Sequence, residues 1–299
     1  MRTILLLLVG AFLAGCVSDA PDATEGPTLR PDDAGDAPAR PPRPAGNDSP
    51  EAIATVWGDP TGKGIRPGIV TTFEGAQCTS SFLFQDPAGE LYLASAAHCI
   101  AGGDNTQTNG CDAPTAPLGS DVTLHLDGGG EATAKLAYSS WLAMQEANET
   151  DAAACSGNDF ALLWIDPDDH GLAHPAALHF GGPTGLAAAP TDTVYGWGAS
   201  GLKLGLEAAH PKQGLHLGTA NDGWSHWVYL ATPGIPGDSG GFITTDDGQA
   251  LGVASTLQIA PVAGSNHYTD ISKSIAYAES HTGVPLEIVA WDDWQPGIA

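Results

Sequence analysis

Residues 237–248 read Gly237-Asp238-Ser239-Gly240-Gly241-Phe242-Ile243-Thr244-Thr245-Asp246-Asp247-Gly248. A serine framed as Gly-x-Ser-x-Gly can sit on a strained strand-to-helix turn. Here aromatic and β-branched residues follow the serine and an Asp-Gly pair closes the stretch, so a strand and a hairpin turn are predicted instead. The same rhythm continues outward in both directions. Ile69-Val70-Thr71-Thr72-Phe73, Ser81-Phe82-Leu83-Phe84, Leu91-Tyr92-Leu93-Ala94, Val122-Thr123-Leu124-His125-Leu126, Ala161-Leu162-Leu163-Trp164, Trp227-Val228-Tyr229-Leu230 and Leu251-Gly252-Val253-Ala254 are short strand-like runs. Gly, Pro and turns such as Asp127-Gly128 separate them. The pattern predicts an all-β chain, built as barrels or a sandwich, with two small barrels a better fit than one to the residues beyond 50. One helix is predicted at about 270–280, capped by Thr269 or Asp270 and closed before Gly283.

The chain has 299 residues, 42% hydrophobic and 15% charged, the balance of a soluble globular protein. Its net charge is −25, and the residues after 50 hold 28 acidic and 6 basic side chains. A phosphate backbone is bound by basic stripes, so nucleic acid is excluded as a main partner. Met1-Arg2 and the apolar run from Ile4 to Ala14 predict an export signal over residues 1–15, too short to span a bilayer. Residues 16–50 are Pro, Asp and Ala with almost no large apolar side chain, which predicts a disordered, Pro-stiffened tether. Residues 51–299 are then the folded domain.

Three motifs stand in a fixed order: Ser95-Ala96-Ala97-His98-Cys99 after a strand, Asn158-Asp159-Phe160-Ala161-Leu162-Leu163 opening one, and Gly237-Asp238-Ser239-Gly240-Gly241 in a Gly/Pro loop before another. Together they resemble the chymotrypsin-like (trypsin-like) serine peptidases, in a bacterial or archaeal-type form. Cys78-Thr79-Ser80-Ser81-Phe82-Leu83, Tyr195-Gly196-Trp197-Gly198 and Tyr268-Thr269-Asp270 are lesser matches, and the resemblance covers about residues 65–290. It implies two six-stranded antiparallel β-barrels, the first about 65–175 and the second about 185–268, a C-terminal helix about 270–280, and an active site in the cleft between the barrels. Leu13-Ala14-Gly15-Cys16 resembles the lipobox of prokaryotic lipoproteins. That implies a lipid on Cys16 and anchoring at the cell surface, periplasm or outer membrane; without the lipid, the chain is expected to be secreted.

A serine hydroxyl is a poor nucleophile at neutral pH and needs an adjacent base, which in turn needs an anion to hold its tautomer. The resemblance assigns Ser239 as nucleophile, His98 as general acid and base, and Asp159 as its orienter. It also assigns the backbone N–H groups of Gly237 and Ser239 as the oxyanion hole, and Ser255 as a hydrogen-bond donor to Asp159. Asp238 is implied to pair with a freed N-terminus or another internal group. The implied disulfide is Cys78–Cys99. Cys111 and Cys155 have no family counterpart, and pairing between them is expected for an exported protein. The other nine histidines carry no motif and are read as surface or barrel-rim side chains.

The resemblance places the specificity pocket at Pro233, Gly234 and Leu257, with no acidic residue to receive Lys or Arg. Trypsin-like cleavage is therefore not expected, and a pocket narrowed by Leu257 suits small or medium apolar side chains. Gly68-Ile69-Val70 stands too close to Cys78 to be an inserted N-terminus and is read as the first barrel strand. The partners expected are protein or peptide substrates and, through the lipid on Cys16, a membrane; the chain is expected to be a monomer. No cofactor or metal is implied, and the acidic loops Asp121 to Glu131 and Asp246-Asp247-Gly248 lack EF-hand ligand spacing. Two other readings compete with this one. An α/β-hydrolase would need a helix after the serine and the order Ser, acid, His, and meets neither condition. A catalytically silent homologue acting as a cell-surface binding module would show a lost triad member, and none is lost.

Overall fold

The structure, a computed structural model, describes residues 57–59, 64–102, 108–258 and 262–297. The expected signal, tether and lipidation site at Cys16 lie outside the described residues.

The architecture is all-β, as the sequence predicts. The first half holds β1 (Val70–Phe73), β2 (Ala76–Thr79), β3 (Leu83–Gln85), β4 (Leu91–Ser95), β5 (Asp121–His125), β6 (Glu131–Ser139) and β7 (Ala161–Ile165). The second holds β8 (Thr193–Trp197), β9 (Pro211–Ala220), β10 (Ser225–Leu230), β11 (Phe242–Thr244), β12 (Ala250–Leu257) and β13 (Asn266–Asp270), and β14 (Glu287–Ile288) follows. The strand after Ser239 is β11, and Asp247-Gly248 turns it into β12 as the hairpin signal requires.

The strands of the second half close into a six-stranded barrel in the order β10-β13-β12-β11-β8-β9. The first half forms an antiparallel sheet of eight strands, ordered β14-β3-β4-β7-β6-β5-β1-β2. Seven of them, one more than expected, come from the first half, and the eighth is β14, which the chain lays beside β3 on its return from the second barrel, pairing Glu287 with Gln85 and Ile288 with Phe84. β7 lies between β4 and β6 with all five residues buried, which is why Ala161-Leu162-Leu163-Trp164-Ile165 is apolar without alternation. Phe82 of the first half and Phe242 of the second meet at 5.2 Å between ring centroids, so the two units share core packing.

The C-terminal helix α3 runs Ile271–Thr282. Asp270 caps it by accepting from the Lys273 N–H, and Gly283 ends it in the left-handed conformation (φ 73°). Two further helices correct the expectation of a single one: α1 (Ser140–Glu146) and α2 (Ala152–Gly157). With 7 and 6 residues they are too short to show a helical period in sequence; good helix formers such as Leu142, Ala143 and Met144 in α1 and Ala152–Ala154 in α2, the Asp151 cap and the Cys111–Cys155 disulfide hold them in place. Both expected disulfides are present. The reading of all the remaining histidines as surface groups is also corrected. His174 and His226 are 1% and 2% exposed, because each finds a buried polar partner: the Ala176 N–H for His174, and His216 for His226.

Candidate active site

His98 sits on a single 3-10 turn, Ala97–Ile100, directly after β4. Its neighbour Cys99 is bonded to Cys78 at the end of β2, so the turn is tied covalently to the sheet. Asp159 stands between α2 and β7, and its backbone is fixed on both sides. Ser140 Oγ donates to the Asn158 carbonyl and accepts the Phe160 N–H, both at 2.9 Å, and the Asp159 N–H reaches Thr269 Oγ1 at 3.3 Å. Ser239 lies in the loop between β10 and β11, and Ser255 at a bulge of β12.

Asp159 Oδ2 is 2.6 Å from His98 Nδ1, and Asp159 Oδ1 accepts the His98 backbone N–H at 2.9 Å. Ser255 Oγ donates to Oδ2 at 2.8 Å. Burial pulls His98 down, but the charge of Asp159 and the hydrogen bond to it outweigh burial and hold the imidazole above its ordinary value. Burial pushes Asp159 up, and His98 together with the donors from His98 and Ser255 brings it below the ordinary carboxylate range. Trp141 closes one side, its ring 6.4 Å from that of His98. Both sulfurs near His98 are consumed in the Cys78–Cys99 bond, so they are not free to join its imidazole around a metal.

His98, Asp159, Ser239 and Ser255 line one cleft of about 500 Å³, with Gln77, Gly237, Ala254, Thr256 and Leu257 among its other walls. Among the described residues, no hydrogen bond joins Ser239 to the His98 ring; such contacts are commonly long in unliganded sites. In the loop, the N–H groups of Asp238, Gly240 and Gly241 bond to Ile235, Ala254 and Asp238 carbonyls at 2.9, 2.8 and 3.0 Å. Those of Gly237 and Ser239 have no acceptor among the described residues. Gly237 has φ 95°, a conformation open to glycine, and a Cβ there would come within 2.9 Å of Ser200 Oγ.

Asp238 is 2% exposed and its carboxylate is held between two buried lysines: Oδ1 lies 2.8 Å from Lys203 Nζ and Oδ2 2.9 Å from Lys212 Nζ. Its oxygens also accept the N–H groups of Ser200 and Ile235 at 3.0 and 3.2 Å. Burial and the neighbouring Lys212 charge push Lys203 down to about 8, against Asp238. The internal partner of Asp238 is thus a pair of lysines. Of the expected pocket residues, Gly234 and Leu257 line the cleft. Pro233 does not line it, and its carbonyl instead accepts from Lys212 Nζ at 3.3 Å.

Sequence reasoning missed Lys203, Lys212, Asn266, Thr79 and Ser200. Asn266 on β13 is 5% exposed and crosses between two cleft walls: Oδ1 accepts the Gly234 N–H at 2.9 Å, and Nδ2 donates to the Gly234 and Thr256 carbonyls at 3.3 and 3.4 Å. A usable signal existed for the lysines alone, since only six basic side chains follow residue 50 and an internal cationic partner for Asp238 therefore has few candidates.

No protein-family model and no curated protein matches the chain. Solved structures similar to it include Thermobifida fusca protease A, 17% identical with a TM-score of 0.47 over 76% of this chain and 100% of that one. They also include a Nocardiopsis protease, 18% identical with a TM-score of 0.44 over 75% and 98%. Cellulomonas bogoriensis chymotrypsin is 16% identical, with a TM-score of 0.44 over 76% and 100%.

Proposed function

We propose that the chain is a serine endopeptidase of the chymotrypsin-like kind, cleaving peptide bonds through an acyl-enzyme intermediate. The observation that carries this reading is the buried Asp159–His98 pair, 2.6 Å apart, in the cleft that also holds Ser239 and two unsatisfied N–H donors. Ser239 Oγ attacks the scissile carbonyl carbon while His98 Nε2 takes its proton, and Asp159 stabilises the imidazolium so formed. The carbonyl oxygen becomes an oxyanion between the N–H groups of Gly237 and Ser239, where a donor is typically worth about 3 kcal/mol. Collapse breaks the C–N bond, and the leaving amine takes the proton from His98. Water then repeats the sequence on the ester and frees Ser239.

Among the described residues, the pocket beside Ser239 carries no uncommitted acidic group: Asp159 is paired with His98, Asp238 with the two lysines, and Asn266 joins Gly234 to Thr256. A substrate Lys or Arg would be desolvated there without a partner, which supports a preference for small or medium apolar side chains. With Asp238 already neutralised inside the fold, activity needs no cleaved N-terminus. Export, with a lipid on Cys16, rests on the sequence of residues 1–16, and incorporation of labelled fatty acid lost in Cys16→Ser checks it.

Labelling with a fluorophosphonate probe tests the activity itself. Ser239-dependent labelling of wild type, absent in Ser239→Ala, is expected. A folded wild-type protein that takes no label overturns the peptidase reading in favour of a silent binding module.

A further inference from the structure

The two peptide groups that flank Gly237 are each held by a hydroxyl from outside the loop. Ser200 Oγ donates to the Pro236 carbonyl at 2.5 Å, and Thr79 Oγ1 donates to the Gly237 carbonyl at 2.8 Å. Both hydroxyls are also pinned as acceptors, Ser200 Oγ by the Leu202 N–H at 3.2 Å and Thr79 Oγ1 by the Ala199 N–H at 2.9 Å. Thr79 is fully buried and Ser200 is 2% exposed.

The direction of the Gly237 N–H follows from planarity. The 236–237 peptide is trans, so its N–H points opposite to its C=O. With the Pro236 oxygen drawn to Ser200 on one side, the Gly237 N–H is turned to the other, where it meets no acceptor among the described residues. The next peptide obeys the same rule: its oxygen goes to Thr79 and its N–H, that of Asp238, returns to the Ile235 carbonyl at 2.9 Å. A glycine at φ 95° has no side chain to lock this arrangement, and rotating either plane breaks one of the two hydroxyl bonds. Asp238 does not substitute for them, since its carboxylate holds the Ser200 and Ile235 N–H groups and neither carbonyl.

Thr79 reaches further. Its backbone N–H donates to the Ser239 carbonyl at 2.8 Å, and its neighbour Cys78 is bonded to Cys99 beside His98. One residue therefore sets the loop that carries Ser239 against the turn that carries His98.

We propose that Thr79 and Ser200 are positioning residues whose hydroxyls keep the Gly237 N–H aimed at the oxygen that gains negative charge during attack. The proposal rests on the serine-peptidase reading above. Such preorganisation acts on the transition state and not on substrate binding.

The test compares wild type with Thr79→Val, Thr79→Ser and Ser200→Ala, with rates referred to active sites titrated by a fluorophosphonate. Thr79→Val and Ser200→Ala are expected to lower kcat about 10- to 100-fold with KM nearly unchanged. Each is expected to weaken a peptide aldehyde, whose adduct places a tetrahedral oxygen at Gly237, by the same factor while leaving a product peptide unaffected. Thr79→Ser, which keeps the hydroxyl, restores the rate. The proposal is overturned by kcat within about twofold of wild type in both variants, by equal losses for aldehyde and product peptide, or by Thr79→Ser behaving as Thr79→Val. If Thr79→Val yields no titratable sites, Ser200→Ala decides. Wild type that takes no label overturns the peptidase reading itself, whereas labelled wild type with unaffected variants overturns the clamp alone.

Discussion

Asp159 grips His98 at two points, through the ring nitrogen Nδ1 at 2.6 Å and through the backbone N–H at 2.9 Å. The second contact fixes where the residue sits and the first fixes which nitrogen carries the proton, leaving Nε2 for the role of base in the proposed mechanism. Asp159→Asn keeps the shape but offers its amide N–H toward Nδ1 and inverts the tautomer. We expect kcat to fall about 10⁴-fold with little change in unfolding free energy, read by peptide hydrolysis and urea denaturation.

The same pair sets the acid side of the pH profile. The base must be neutral to work, and Asp159 holds the His98 imidazole above its ordinary 6.5. The rise of kcat/KM with pH is therefore expected to have its midpoint above 6.5 and to move down when Asp159 is replaced. Stability runs the other way: a raised His98 contributes fully below 6.5, and that contribution is lost as pH climbs through the folded-state value. Midpoints for kcat/KM and thermal unfolding scanned over the same buffers check both signs.

Lys203 and Lys212 share one carboxylate, and they are not equivalent. Lys203 is lowered to about 8 from 10.5, so between those values the unfolded chain binds more protons and stability is expected to rise with pH. Lys203→Met should flatten that rise and leave Asp238 paired with Lys212. Lys212→Met leaves Asp238 paired with Lys203 but strips the Thr232 and Pro233 carbonyls of their donor, and we expect it to cost about 1–3 kcal/mol and to return Lys203 toward its ordinary value. Urea unfolding from pH 7 to 10 separates the two.

Asn266 ties Gly234 to Thr256 across the cleft, and in the proposed peptidase it would limit how deep a substrate side chain can go. Asn266→Gly removes the bridge between Gly234 and Thr256, and kcat/KM for peptides with Phe before the scissile bond is expected to gain at least about 10-fold over those with Ala. A peptide-library digest of wild type and variant reads the change. An unchanged preference would place the floor of the pocket elsewhere.

The Cys111–Cys155 bond closes 44 residues around α1 and the approach to Asp159. In the chain-entropy model the double variant Cys111→Ala, Cys155→Ala loses up to about 4 kcal/mol. Because α1 carries Trp141 beside His98, kcat is expected to fall as well, as checked by denaturation and by rates per titrated site.

The second barrel, the strand after Ser239, the capped helix ending at Gly283 and the Cys78–Cys99 bond were all legible in the chain. The strands and the helix rest on local signals, β-branched runs between turns, Asp-Gly hairpins, an Asp cap and a left-handed glycine, whereas the Cys78–Cys99 bond was implied by the resemblance. The helices α1 and α2 were not legible, since six or seven residues carry no period and their order comes from the packing around them.

What the sequence determined by itself was the class of the fold, the order His98, Asp159, Ser239 along the chain, and the two cysteine pairs. The fold class follows from short-range chemistry, in which a residue and its neighbours identify each other, whereas the motif order and the Cys78–Cys99 pair come through the resemblance and the Cys111–Cys155 pair through the expectation of export. Only the tertiary structure decided that Lys203 and Lys212 face Asp238, that Asn266 joins Gly234 to Thr256, and that Thr79 and Ser200 hold the carbonyls of Gly237 and Pro236. A lysine, an asparagine, a threonine and a serine read as surface residues until burial removes water from them. Each must then find a partner within the protein, and for Thr79 the one it finds lies 158 positions away.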